Sequence, residues 1–272
     1  MKKEVTTHSA VMPKISIITP TLNQADLIPF TIDSVLGQGY PNMEYIIIDG
    51  GSTDGTVEIL KKYHDLVKWI SEKDKGQSDA INKGLKIASG DILAFLNSDD
   101  IYESGALEKV GKFFAEHPQA KWVTGKCYII DRLGRRIRPL ITFYKNIWLY
   151  LHVSRALFVL NYISQPATFW RKEITKQIGY FNESLFYTLD YEYWLNMEKV
   201  SKLYFLNSYL ASFRCYADSK SGSTTCAQFE EQLRVARRST SSAVLLKLQE
   251  FHNFITVQCY KHMATSAGKM KS

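Results

Sequence analysis

Two adjacent carboxylates, Asp99 and Asp100, follow the apolar run Ile92 to Phe95 in the stretch "LNSDD". Like charges side by side repel unless something positive joins them, and a divalent cation is the usual neutraliser. Oxygen donors beside asparagine and serine, with no histidine or cysteine near them in sequence, suit Mg2+ or Mn2+. Magnesium held this way keeps waters and bridges to substrate phosphates. The plainer reading is that Asp100 caps a turn or helix.

A second stretch, "DGGSTDGT" from Asp49 to Thr56, has the glycines of a phosphate cradle. No Gly-Lys-Ser/Thr follows, so it is not a Walker A loop. GxGxxG is absent, and Asp49 stands at a strand end where it would repel a pyrophosphate. Asp49 could accept hydrogen bonds from a base or ribose, or close an Asx turn around Gly50 and Gly51. The segment alone leaves both open.

These loops need strands to hold them. Lys14 to Thr19, Tyr45 to Ile48, Val67 to Ile70 and Gly90 to Leu96 read as strands. Leu27 to Leu36, Thr56 to Tyr63, Ser78 to Ala88 and Ser104 to Phe114 read as helices, the last with Ser104 as N-cap. Such alternation implies a parallel sheet covered by helices, with ligands at the carboxyl ends of the strands. Four consecutive strands then empty into polar loops on one rim. Farther on, Trp122 to Ile130, Lys202 to Leu206 and Tyr209 to Phe213 read as strands, with a turn at Asp131 to Gly134. Gln228 to His262 reads as one long helix.

The chain has 272 residues, 45% of them hydrophobic, enough for a sizeable core. The four cysteines form no CxxC pair or regular spacing, so reduced thiols and a cytoplasmic location are expected. Met1 to Pro13 lacks the apolar stretch of a secretory signal, and no segment is long and apolar enough to span a membrane. Residues 1–130 carry 14 Lys and Arg against 17 Asp and Glu, whereas 131–272 carry 20 against 10. The basic second half suits an anionic partner such as a diphosphate or acidic lipid, or is simply a solvated surface.

The stretches "ISIITPTLNQADLIPFTIDSVLGQGYPNMEYIIIDGGSTDGT" and "DKGQSDAINKGLKIASGDILAFLNSDD" together resemble family 2 glycosyltransferases. These are inverting enzymes with the A-type glycosyltransferase fold. The resemblance resumes at "SQPATFWRKEI", "GYFNESLFYTLDYEYWLN" and "FRCYADSKS". It implies an α/β fold with a mostly parallel central sheet flanked by helices and a C-terminal helical extension. The corresponding divisions are a tail at 1–13, a transferase domain at 14–225 and the extension at 226–272. Within the domain, 14–102 is the nucleotide half and 103–225 the acceptor half.

By the same resemblance, Pro20, Thr21 and Asn23 line the nucleotide pocket, and Asp49 contacts the base. Asp74 and Asp79 lie on a loop closing over the nucleotide. Asp99 and Asp100 share the Mg2+ or Mn2+ and sugar-nucleotide contacts. Lys220 assists at the diphosphate, and Asp190 is the general base. An ordinary helix N-cap is the plainer reading of Asp190.

Three positions depart from the family pattern. Asn97 stands where many relatives have aspartate, Leu189 precedes Asp190 where glutamate is usual, and Tyr216 replaces a histidine. A phenol, with a pKa of about 10, is a poor metal ligand at neutral pH.

The expected partners are a nucleotide-sugar donor, UDP-linked, and a glycan or lipid-linked acceptor in envelope polysaccharide synthesis. The processive synthases' Gln-x-x-Arg-Trp motif is missing, which favours single-sugar addition. Phe143 to Pro166 reads as an acceptor wall, a lid touching a membrane, or a core helix; His152 within it carries little weight. Arg234, Arg237 and Arg238 could rest on anionic lipid, giving peripheral membrane contact. The rival readings are a sugar-nucleotide-binding pseudoenzyme, a sugar nucleotidyltransferase and, more weakly, a nucleic-acid binder with salt-sensitive affinity.

Overall fold

Short apolar runs become buried strands, and the amphipathic segments between them become helices. The structure of the chain, a computed structural model, describes residues 12–151, 153, 155–217, 219 and 226–269. The first part of the chain runs β1 (Ile15–Thr21), α1 (Ile28–Leu36), β2 (Met43–Asp49), α2 (Thr56–Lys62), β3 (Lys68–Ser71), α3 (Gln77–Ile87) and β4 (Ile92–Phe95). Next come β5 (Ile101–Tyr102), α4 (Ala106–Glu116), β6 (Trp122–Ile130), β7 (Arg136–Ile137) and α5 (Pro139–Leu151). The chain continues through β8 (Thr168–Arg171), α6 (Lys172–Ile178), α7 (Leu189–Val200) and β9 (Leu203–Arg214), then α8 (Cys226–Ser239) and α9 (Ala243–Lys269).

The strands form one sheet in the order β3-β2-β1-β4-β8-β6-β9-β5, with β7 paired to β6. β1 to β4 are parallel, as alternation with helices demands, and β8 joins antiparallel to both β4 and β6. Strand alternation sorts the core onto two faces. Ile18, Ile46, Ile48 and Phe95 pack with Ala80, Ile81 and Trp194 on one side. Ile15, Ile17, Ile47 and Ala94 pack with Ile28, Ile32 and Val110 on the other. Gly84 lets α3 lie close on the sheet, because a Cβ there would meet Ile18 Cγ2 at 2.4 Å.

The order of the first four strands places β1 between β2 and β4, so the chain reverses direction across the sheet at β1. That is the switch point where the loops after neighbouring strands diverge and leave a crevice.

Several elements differ from expectation. Ser104 does not cap α4; Gly105, in the left-handed conformation at φ 70°, occupies the cap. The two strands expected from Lys202 onward are one strand, β9, whose pairing with β6 shifts register around Lys126. The single long terminal helix is two, because the Ser and Thr run from 239 to 242 ends α8. The Ser242 hydroxyl then accepts the Leu245 N–H at the start of α9. Val235, Ala236 and Leu246 join the core that holds Leu189 and Tyr191, so these helices pack against α7. The aromatic stretch forms α5, which buries Thr142 and Leu149 but turns most of its large apolar side chains outward. Leu149 joins the core and α5 packs on β6, as the core-helix reading expected, but the opposite face of the helix is exposed.

Candidate active site

A cleft of about 430 Å3 lies at the switch point, bordered by Pro20 and Thr21 at the end of β1 and by Asn97, Ser98 and Asp99 after β4. Its other walls come from Asp74, Gly76 and Gln77 at the start of α3, from Gln165, and from Tyr187, Leu189 and Asp190. Phe213, Arg214, Tyr216 and Ser219 close it. Of the residues singled out from sequence, Pro20, Thr21, Asp74, Asp99 and Asp190 therefore share one cavity. Lys220 lies outside the described residues.

Asn23, Asp49, Asp79 and Asp100 are not on its wall. Asn23, at φ 52°, donates its N–H to Ser52 Oγ and accepts the Thr53 N–H, tying two loops together. Asp49 is fully buried; its carboxylate accepts the N–H groups of Gly51 and Ser52 and the hydroxyls of Ser52 and Ser71. The Asx turn around Gly50 and Gly51 is therefore formed. Asp79 accepts the Lys75 N–H and pairs with Lys83 at 3.4 Å; those interactions hold its carboxyl below the usual range. Asp74 caps the Gly76 N–H and presses against Gly50, where a Cβ would meet its Oδ2 at 2.5 Å.

The acid pair divides its work. Asp100 has no exposed surface, and its carboxylate accepts the Arg214 N–H at 2.8 Å and the Asn97 amide at 3.2 Å. Burial, with the neighbouring Asp99 charge adding to it, pushes its pKa well up. Asp99 faces the cleft and accepts the Tyr216 hydroxyl at 3.2 Å. Burial raises its pKa too, against the opposing pull of Tyr216 and Arg214. Tyr216 itself is pushed up to about 12, by burial first and then by Asp99. Two adjoining carboxylates that both resist ionisation form a site that favours a proton or a cation.

Asn97 links this pair to the rest of the cleft. It accepts the Gln77 amide at 2.7 Å and donates to Gln165 Oε1 at 3.1 Å as well as to Asp100. An aspartate could not donate either of those last two bonds. Gln165 in turn donates to the Phe95 carbonyl. Arg214 donates to the carbonyls of Asp99, Asp131 and Arg132, fixing the acidic loop. Sequence reasoning gave Gln77, Gln165 and Arg214 no role; only their place within the resembling stretches hinted at one.

Asp190 sits in the first turn of α7, with Thr188 at the cap, so it is not the N-cap. Its carboxylate accepts the Tyr191 N–H at 2.8 Å. Leu189, in place of the usual glutamate, is buried in the core. A carboxylate reaches this turn from elsewhere. Glu231 of α8, itself buried, accepts the N–H groups of Phe186, Tyr187 and Thr188 at 3.0, 2.6 and 2.8 Å, and the Thr188 hydroxyl at 3.0 Å. Burial alone would raise its pKa, but these donors outweigh burial and hold it low.

A second cavity of about 520 Å3 adjoins the cleft, and Gln165, Tyr187, Asp190 and Phe213 border both. Arg138, Tyr144, Lys145 and His252 line its far side. Burial lowers the Lys145 pKa, against the pull of Cys127 and Asp190. One carboxylate thus stands between two chambers, one fringed by acids and one by bases.

The model of "Glycosyl transferase family 2" matches residues 16–179. The chain belongs to this family. It is 42% identical over 117 residues to TuaG of Bacillus subtilis, named for teichuronic acid biosynthesis; the match covers 42% of this chain and 46% of TuaG. In three dimensions it resembles S. aureus TarS 1–349 in complex with UDP-GlcNAc, at a TM-score of 0.66 and 21% identity, over 87% of this chain and 70% of that one. It also resembles the mannosyltransferase PcManGT of Pyrobaculum calidifontis in complex with GDP-Man and Mn2+. There the TM-score is 0.65 and the identity 16%, over 94% and 76% of the two chains. The chain is therefore a glycosyltransferase with the A-type fold.

Proposed function

We propose that this glycosyltransferase adds a single sugar, with inversion, from a UDP-linked donor to a glycan or lipid-linked acceptor in envelope polysaccharide synthesis. The observation that carries the reading is Asp190 on the wall common to both cavities. With the donor in the acid-fringed cleft and the acceptor in the neighbouring one, Asp190 can take the proton from the acceptor hydroxyl. The freed oxygen then attacks the anomeric carbon from the face opposite the diphosphate, which inverts the configuration.

Asp99, rather than Asp100, is the carboxylate to hold Mg2+ or Mn2+, because it borders the cleft while Asp100 is committed to Arg214 and Asn97. Among the described residues no three His, Cys, Asp or Glu side chains gather into a metal cage. One carboxylate plus substrate phosphates is a common way to hold magnesium, so the donor set fits. Such a cation, when bound, offsets the charge that grows on the departing diphosphate. Pro20 and Thr21 flank the nucleotide, Asp74 stands at the loop entering α3, and Gln165, which borders both chambers, orients Asn97 in the donor cleft. TuaG's name and the UDP-GlcNAc bound to TarS agree with the envelope setting and the donor class.

The test is calorimetric titration with UDP- and GDP-sugars, with and without Mn2+, followed by NMR of the product's anomeric configuration. A UDP-sugar that binds more tightly with Mn2+ and yields the inverted anomer is expected. Retention of configuration, or no nucleotide-sugar binding, would overturn the reading.

A further inference from the structure

The outward faces of α5 and α9 are apolar where a surface helix is ordinarily polar. On α5, Leu140, Phe143, Tyr144, Ile147, Tyr150 and Leu151 recur at three- and four-residue steps and are all exposed, Leu140 by 81% and Phe143 by 64%. On α9, Val244, Leu248, Phe251, Phe254 and Ile255 repeat the pattern, Val244 exposed by 68% and Phe251 by 64%. The stripes meet where the Tyr144 hydroxyl lies 3.2 Å from His252 Nε2. A continuous exposed patch of this kind marks a surface that meets something apolar.

Charge selects the occupant. Between Asp131 and Glu173 the chain has no acidic residue, and Arg132, Arg135, Arg136, Arg138 and Arg155 in that stretch are exposed. Arg135, Arg136 and Arg138 lie exposed just before α5, Arg155 just after it, and Lys247 beside the α9 stripe. A second copy related by a two-fold axis would bring these cations against their own kind. An anionic lipid surface accepts the apolar stripes at its acyl boundary and the arginines at its phosphates. No helix among the described residues is long and apolar enough to cross a membrane, so the contact lies in the interface plane.

We propose that the α5 and α9 faces together dock the enzyme on an anionic membrane surface. Tyr144 and Ile255 belong both to that face and to the lining of the second cavity. A lipid-anchored acceptor could therefore reach Asp190 without leaving the bilayer; this last step rests on the proposed function, whereas the docking does not.

The experiment is flotation with vesicles of phosphatidylcholine alone or with 30% phosphatidylglycerol, at about 0.1 M salt. The wild type should bind the anionic vesicles about tenfold or more tightly than the neutral ones, and less as salt rises. The double variant Phe143→Asp, Phe251→Asp should lose at least tenfold of that binding while keeping its thermal melt and its affinity for nucleotide-sugar. Arg135→Glu with Arg155→Glu should weaken anionic binding without touching an apolar side chain. Absence of wild-type binding to anionic vesicles would overturn the proposal. So would a dimer, seen by sedimentation, that the double variant dissociates while vesicle binding stays unchanged. Failure of nucleotide-sugar binding in the wild type would instead sink the proposed function and leave the docking standing.

Discussion

Glu231 offers a perturbation whose size follows from its partners. Its carboxylate accepts four hydrogen bonds from Phe186, Tyr187 and Thr188, three of them from backbone N–H groups leading into α7. An orphaned buried donor costs about 1–3 kcal/mol. Phe186 is 60% exposed, so water can replace its lost partner, whereas Thr188 is buried. Glu231→Ala should therefore cost about 3 kcal/mol in urea denaturation. Glu231→Gln keeps one oxygen for the Tyr187 and Thr188 donors but turns an NH2 group toward Phe186 N–H, and should cost about 1–2 kcal/mol. Because Asp190 follows Thr188 by two residues, kcat should fall more than the donor KM rises. The pH dependence has a definite sign. The folded pKa lies below the usual 4.5, so the stabilisation is complete above pH 4.5 and is lost as pH falls through the folded value. The gap between wild type and Glu231→Gln should accordingly narrow below pH 4.5. A Glu231→Ala protein within about 0.5 kcal/mol of wild type, or a gap that ignores pH, would refute this reasoning.

Two other outcomes follow from close contacts. Tyr216→His should strengthen Mn2+ binding in the presence of donor by about tenfold, measured by calorimetry, because a neutral imidazole is a better ligand than a phenol whose pKa is pushed up to about 12. Gly84→Ala should destabilise by about 1–3 kcal/mol in thermal denaturation, since its Cβ would sit 2.4 Å from Ile18 Cγ2 and force α3 off the sheet.

The stretch from β1 to β4 was legible in sequence because apolar period, glycine turns and polar loops coincide there, so these strands fall close to where the residues place them. The chain beyond β5 was less so. β8 is only four residues long, and the Ser and Thr break between α8 and α9 interrupts an otherwise continuous helical pattern. At the site, the motifs picked out loops that border the cleft but not the direction of each side chain. Asp99 and Asp100 are chemically identical neighbours, and only the fold turns one toward the cleft and buries the other. At Asp49 the segment left an Asx turn and a ligand contact both open, and nothing local shows that Ser71, on the next strand, also donates to it. Glu231 gave no signal at all, being 41 positions from Asp190 in a basic, amphipathic segment. The composition of α5 fits a buried helix as well as an exposed one, and only its outward orientation separates the two.

The claim that Asp190 is the base is tested most directly by Asp190→Asn, with donor affinity read by calorimetry and sugar transfer by product formation. The account predicts nucleotide-sugar binding within about threefold of wild type and transfer reduced about a hundred- to ten-thousandfold. Transfer that survives nearly intact in this variant would contradict it.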